Sequence, residues 1–180
     1  MNTKRTPLVM INTGNGKGKT TAALGLLMRA AGRNFKTIML QFIKTTEDPR
    51  FGVYGEILSA HKLGIEILSL GDGFTWDTKN PDQDKQTARK AWEICVEKIN
   101  SGVYDIVALD EITYAFHFGW LTVQEVIDVL KNRPANLHVV LTGRNAPPEL
   151  IEFADLVTEM TEIKHPFTAK KVVAQLGIEF

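Results

Sequence analysis

The sequence predicts an α/β fold built on a largely parallel sheet. Short apolar segments alternate with longer helical patterns, and a glycine-rich loop joins the first strand to the first helix. No composition shift, low-complexity run or internal repeat divides the 180 residues. One domain over residues 1–180 is therefore expected, and a 44% hydrophobic content lets a chain of this length build a core without staples.

Leu8–Thr13 (LVMINT) reads as the first strand, and Lys19–Ala31 follows as an Ala- and Leu-rich helix stopped by Gly32 in the C′ role. Thr37–Phe42 is the second strand, Phe51–Leu63 a helix closed by Gly64, and Ile65–Leu70 a third strand with alternation. Gly71–Pro81 is a loop. Asp82–Asn100 is the longest helix, with Ala88, Trp92, Cys95 and Ile99 forming one core-facing stripe. Tyr104–Asp110 is a buried strand, and Thr122–Asn132 a helix with Thr122 as N-cap and Glu125 completing a capping box. His138–Thr142 is the fifth strand, Pro147–Phe153 a short helix and Leu156–Met160 a candidate edge strand. The last twenty residues carry no clear pattern.

Composition narrows the function. Lys+Arg and Asp+Glu both number 21, which argues against attachment to nucleic acid or acidic membrane by bulk electrostatics. A single cysteine, Cys95, excludes an intrachain disulfide framework and a Cys-rich zinc site, and on its apolar stripe it reads as core filler. The four histidines show no metal-ligand spacing. The N-terminus has no signal-peptide h-region, and no 18-residue apolar stretch occurs. A cytoplasmic protein without nucleic-acid or membrane partners is expected.

The chemistry starts at Thr13-Gly-Asn-Gly-Lys-Gly-Lys-Thr-Thr21. Gly14, Gly16 and Gly18 let the backbone wrap an anion with converging N–H groups; Lys19 adds a charge for terminal phosphates and Thr20 a hydroxyl for Mg²⁺. The strict G-x-x-x-x-G-K-[ST] pattern wants glycine where Thr13 stands, with Gly14 one place later. The GKT ending and the strand–turn–helix context outweigh that slip. A merely structural turn would leave Lys17 and Lys19 beside a helix N-terminus, where the dipole disfavours cations unless an anion is bound. The expectation sharpens to a three-layer P-loop NTPase-like (RecA-like) fold. The second half of the site is Ile106–Glu111, an apolar strand that delivers Asp110 and Glu111 to the sheet's C-terminal edge, where Mg²⁺ needs oxygen ligands.

Nucleotide binding does not name the reaction: phosphoryl transfer, hydrolysis and attack elsewhere on the nucleotide all remain open. Arg29, Arg144 and Lys44 are further candidate cations, Arg144 following the fifth strand over the same edge. Phe74 and Trp76 sit in a polar loop after the third strand, either as a lid on the core or as an apolar wall for a large planar partner.

The run GNGKGKTTAALG, with QFIK, GFTW, LDEITYAFHFGWL, NRP, LTGR, KHPF and the closing GIEF, resembles the P-loop ATP:corrinoid adenosyltransferases over nearly the whole chain from Leu8. The resemblance implies that the cobalt of cob(I)alamin or a related corrinoid attacks the 5′ carbon of ATP and releases triphosphate. It implies that Asn15, Lys17, Lys19, Thr20 and Thr21 hold the triphosphate, in the reverse sense to ordinary P-loop proteins. It assigns Mg²⁺ to Thr20 and Glu111 with Asp110 supporting, and makes Arg29 a nucleotide contact. Phe74 and Trp76, by the same resemblance, crowd the lower face of the corrinoid and exclude water and the dimethylbenzimidazole base, easing reduction of Co(II). A homodimer and a reduced flavoprotein electron donor are implied as well.

Two departures mark this chain. It begins seven residues before its first strand, so the N-terminal helical extension of some relatives is not expected. Its tail, from His165 to Gln175, replaces the usual A-G-[VI]-K-A-Q, so tail contacts are not carried over. Two other readings stay open: a P-loop small-molecule kinase or phosphotransferase, which would release ADP, and a nucleotide-binding regulatory or corrinoid-carrying module without turnover.

Overall fold

The computed structural model describes residues 6–71, 73 and 81–180. Six parallel strands form one sheet in the order β5-β2-β6-β7-β1-β8: β1 (Val9–Thr13), β2 (Thr37–Gln41), β5 (Glu66–Ser69), β6 (Ile106–Asp110), β7 (His138–Thr142) and β8 (Leu156–Glu159). A small antiparallel pair, β3 (Glu47–Asp48) and β4 (Gly52–Val53), stands apart. The helices are α1 (Lys19–Ala31), α2 (Gly55–Lys62), α3 (Pro81–Asn100), α4 (Thr113–His117), α5 (Val123–Lys131), α6 (Pro148–Phe153) and α7 (Pro166–Lys170).

The period-two geometry of a strand sorts each residue onto one of two cores. Met39, Ala108 and Val140 pack with Ala23, Leu27 and Ala30 of α1 and Ala60 of α2. Their neighbours Ile38, Leu40, Val107, Leu109, Val139 and Leu141 pack with Trp92, Cys95 and Ile99 of α3 and Val126 and Leu130 of α5. This is the expected three-layer α/β arrangement of P-loop proteins. The α3 stripe is buried as its spacing predicts, and burial pushes the Cys95 thiol pKa up.

Most elements fall where the sequence puts them, and the differences have local causes. The capping box of α5 is formed: Thr122 Oγ1 accepts from the Glu125 N–H at 3.2 Å, and Glu125 Oε2 accepts from the Thr122 N–H at 2.9 Å. Gly64 takes the left-handed conformation expected after α2, with φ 70°. Gly32 does not: its φ is −62°, and Asn34, at φ 62°, takes the left-handed position that turns the chain after α1. The helix expected from Phe51 starts only at Gly55, because Gly52 and Val53 pair with the preceding segment and Tyr54 is extended. Within LDEITYAFHFGWL lies α4, and within the unassigned tail lies α7, two five-residue helices too short for a periodic signal.

Candidate functional site

The loop after β1 is shaped from two sides. Gly14 and Gly18 have φ 93° and 108°, where side chains are disfavoured. A Cβ on Gly16 would also meet the Met160 carbonyl oxygen at 2.8 Å, and the Gly16 N–H donates to that same oxygen at 2.7 Å. The end of β8 therefore braces the loop, a demand on glycine that the anion reading did not anticipate. Lys19 Nζ donates to the carbonyls of Gly14 at 2.8 Å and Gly16 at 2.7 Å, so the ammonium lies inside the curve of the loop. Burial, then Arg144, holds its pKa below the usual lysine value, against the pull of Glu111 and Asp110.

At the strand ends, Asp110 Oδ1 accepts from Thr20 Oγ1 at 2.9 Å and from Thr142 Oγ1 at 2.7 Å. Thr142 Oγ1 in turn accepts from the Glu111 N–H at 2.9 Å. That bond fixes Glu111 in a left-handed conformation, φ 60°, which turns the chain off β6. Burial raises the pKa of both carboxyls. For Asp110 the Thr142 and Thr20 hydroxyls and Lys44 oppose it. Glu111 is pushed up to about 7 by burial and then by Asp110, against Lys44, Lys19 and Arg144. Lys44 bonds Glu56 Oε1 at 2.5 Å. Burial lowers the Lys44 pKa, but the bond and charge of Glu56 outweigh burial and hold it above the usual value.

A cavity of about 630 Å³ joins these groups, lined by Gly16–Thr21, Lys44, Glu56, Glu111, Tyr114, Gly143, Arg144 and residues 177–180. Gly143 is dictated by crowding: a Cβ there would collide with the Thr113 hydroxyl, and its backbone conformation sets Arg144 at the cavity. Lys17 points its ammonium at Glu179, 2.5 Å away. Phe180 packs on Phe51 and Tyr54, with ring centroids 4.7 and 5.7 Å away, which seats the tail as a wall of the cavity.

Lys17, Gly18, Lys19, Thr20, Thr21 and Glu111 thus share one cavity with Gly16, and Asp110 lies directly behind Thr20. Asn15 and Thr21 are exposed on the loop and first helical turn. Arg29 is not brought there: it sits in the last turn of α1, ten residues beyond Lys19, or about 15 Å along the axis. Phe74 and Trp76 lie outside the described residues. Arg144 and Lys44, candidate cations in the sequence, both line the cavity, whereas Thr142 and Glu56 escaped the sequence reading of the site. Only the adjacency of β7 to β6 brings Thr142 beside Asp110 and Glu111, and no spacing along the chain encodes that.

Residues 5–180 match the family model for ATP:corrinoid adenosyltransferase BtuR/CobO/CobP. A corrinoid adenosyltransferase from a Sinorhizobium species is 42% identical over 179 residues, covering 96% of this chain and 80% of the relative. The corrinoid adenosyltransferase of Escherichia coli K12 is 39% identical over 175 residues, covering 96% and 85%. Among solved structures, the flagellar accessory protein FlaH of Methanocaldococcus jannaschii has a similar fold, with a TM-score of 0.55 at 13% identity over 85% of this chain and 70% of that one.

Proposed function

The chain belongs to the ATP:corrinoid adenosyltransferase family, and from that premise we infer that it transfers the 5′-deoxyadenosyl group of ATP to the cobalt of cob(I)alamin or a related corrinoid. The lone pair of Co(I) forms the bond to C5′, the C5′–O5′ bond breaks, and triphosphate leaves with its electron pair. The observation that carries this reading is the meeting of Lys19 and Thr20 with Asp110 and Glu111 at one cavity, in a chain whose family acts on ATP.

The chain's own work is to hold and stabilise the leaving group. Lys19 exchanges the carbonyls of Gly14 and Gly16 for phosphate oxygens, and Lys17 exchanges Glu179 for the same. Both place positive charge where negative charge grows as triphosphate departs. The residues also suit Mg²⁺. Thr20 and Glu111 offer hard oxygens at the cavity, and Asp110 stands behind them, accepting from the Thr20 hydroxyl. Bound with the nucleotide, such an ion would be shared between these oxygens, the phosphates and water. Bound Mg²⁺ would neutralise charge on the triphosphate. No general base is required of the chain, because the corrinoid supplies the nucleophile.

The segment holding Phe74 and Trp76 leaves β5 at the same sheet edge, which supports their role as the apolar wall against the corrinoid's lower face. The same reading makes the protein a cytoplasmic homodimer served by a reduced flavoprotein. Leu156 and Val157 on the outer strand β8 are 49% and 38% exposed, which supports an interface along that edge; the electron donor rests on the family likeness. The test is an anaerobic assay with ATP, Mg²⁺ and chemically reduced cob(I)alamin. A light-sensitive alkylcobalamin is expected, and ATP binding without any cobalt–carbon product would refute the reading.

A further inference from the structure

A row of polar side chains crosses the C-terminal end of the sheet. Ser69, Gln41 and Asp110 are register partners on β5, β2 and β6. Each stands two residues beyond a side chain of the α1-side core or its margin, Ile67, Met39 and Ala108, so all three point to the α1 face. Thr142, two residues after Val140, continues the row on β7. Three links of this row are closed: Ser69 Oγ donates to Gln41 Oε1 at 3.0 Å, and Thr142 and Thr20 donate to Asp110 Oδ1. The remaining link would join Gln41 Nε2 and Asp110 Oδ2, two buried atoms that make no full hydrogen bond elsewhere, and the Gln41 side chain already acts on the Asp110 carboxyl.

The Ser69 hydroxyl decides which way the Gln41 amide faces. With Oε1 taken by Ser69, the amide nitrogen is the end left for Asp110; the opposite flip would aim lone pairs at a carboxylate. Gln41 and Asp110 are both fully buried, so bulk solvent does not reach the atoms concerned. We propose that Gln41 is a positioning residue for the metal–triphosphate site: its Nε2 donates to Asp110 Oδ2 and so locks the carboxylate in the orientation that presents Thr20 Oγ1 to the phosphate-bound cation. The proposal rests on the Thr20/Asp110/Glu111 reading of the Mg²⁺ site.

The placement of Gln41 gives the row a second end. The Leu70 N–H donates to the Gln41 carbonyl at 2.9 Å, and the Gly73 N–H to Ile43 at 3.1 Å. A Cβ on Gly71 would lie 2.3 Å from the Ile43 carbonyl oxygen, so the root of the following loop is pressed onto the end of β2. Gln41 therefore stands between the root of the loop that carries Phe74 and Trp76 and the carboxylate behind the phosphate loop.

The test is calorimetric titration of ATP into the full chain, once with Mg²⁺ and once with EDTA. Gln41→Met keeps the volume and removes the amide; Ser69→Ala keeps Gln41 and removes what orients it. In the wild-type protein Mg²⁺ is expected to tighten ATP binding. Gln41→Met is expected to leave the EDTA affinity unchanged and to weaken the Mg²⁺ affinity about tenfold, the scale of one hydrogen bond to a charged group. Ser69→Ala should lose roughly threefold in Mg²⁺ alone, the smaller effect of a partner that orients the amide without itself contacting the carboxylate. Equal losses with and without Mg²⁺, or undiminished tightening in Gln41→Met, would overturn the proposal. If thermal melting shows Gln41→Met to be unfolded, Ser69→Ala decides, and unchanged Mg²⁺ tightening there overturns it. A wild-type protein indifferent to Mg²⁺ would instead bring down the metal-site reading beneath it.

Discussion

Thr142→Val is the substitution that tests the wiring of the site most sharply. The two side chains have the same shape, so packing in this fully buried position is kept and only the hydroxyl is lost. That hydroxyl donates to Asp110 Oδ1 at 2.7 Å and accepts from the Glu111 N–H at 2.9 Å. Asp110 Oδ1 keeps Thr20, whereas the Glu111 N–H is left without its partner. One lost bond to a charged acceptor and one orphaned donor together cost about 2–4 kcal/mol. For a chain of this size that is a fall in Tm of roughly 4–16 °C. Urea denaturation monitored by circular dichroism measures it. Thr142→Ser retains the hydroxyl and loses a methyl, so it should cost only about 1 kcal/mol. ATP affinity should fall with Thr142→Val as well, because the Glu111 turn loses its anchor. A loss below about 0.5 kcal/mol, or a serine variant no better than valine, would refute the reasoning.

Glu111→Gln carries a pH signature. The folded-state pKa of Glu111 is raised to about 7 from 4.5, so the carboxylate costs stability as pH rises through that window and the full cost stands above it. In nucleotide-free protein the variant should gain stability over wild type at pH 8 and lose that gain below pH 4.5; denaturation midpoints across pH 4–8 read it, and a pH-independent difference would count against it. Lys19→Ala should lower turnover by about two to three orders of magnitude, the scale of removing a preorganised charge stabiliser, with steady-state kinetics as the measure. Trp76→Ala should bind ATP normally yet lose turnover when corrinoid is supplied as Co(II) with a protein reductant; near-wild-type turnover under those conditions would remove the residue from the reaction. Gly16→Ala should destabilise the fold by about 1–3 kcal/mol through its clash with the Met160 and Thr161 backbone, visible as a lower Tm.

Much of the fold was legible because each strand and long helix announces itself within a few residues. The α3 stripe, the Thr122–Glu125 capping box and the GKT loop depend on spacings of three or four residues, and all are local. Gly32 differs from expectation because Asn as well as Gly tolerates the αL turn, and the chain uses Asn34. The hairpin before α2 was hidden because two-residue strands carry no periodicity. At the site, Lys19, Thr20, Asp110 and Glu111 were readable from motif context, while Thr142 and Gln41 depend on strand order, with β7 on one side of β6 and β2 on the other. A polar residue closing an otherwise apolar strand is the signal both share, visible in TIMLQ and HVVLT, but it names no partner until the sheet is assembled. The tail contributes Glu179 and Phe180 to the cavity from more than 150 residues away in sequence, beyond any local rule.

The fate of the three phosphates tests the reaction most directly. After anaerobic turnover with cob(I)alamin, ATP and Mg²⁺, phosphorus NMR should show intact triphosphate in one-to-one yield with the alkylcobalamin, the outcome of attack at C5′. ADP or AMP as the accumulating product would contradict it, placing the bond cleavage between phosphates and returning the site to phosphoryl or nucleotidyl transfer.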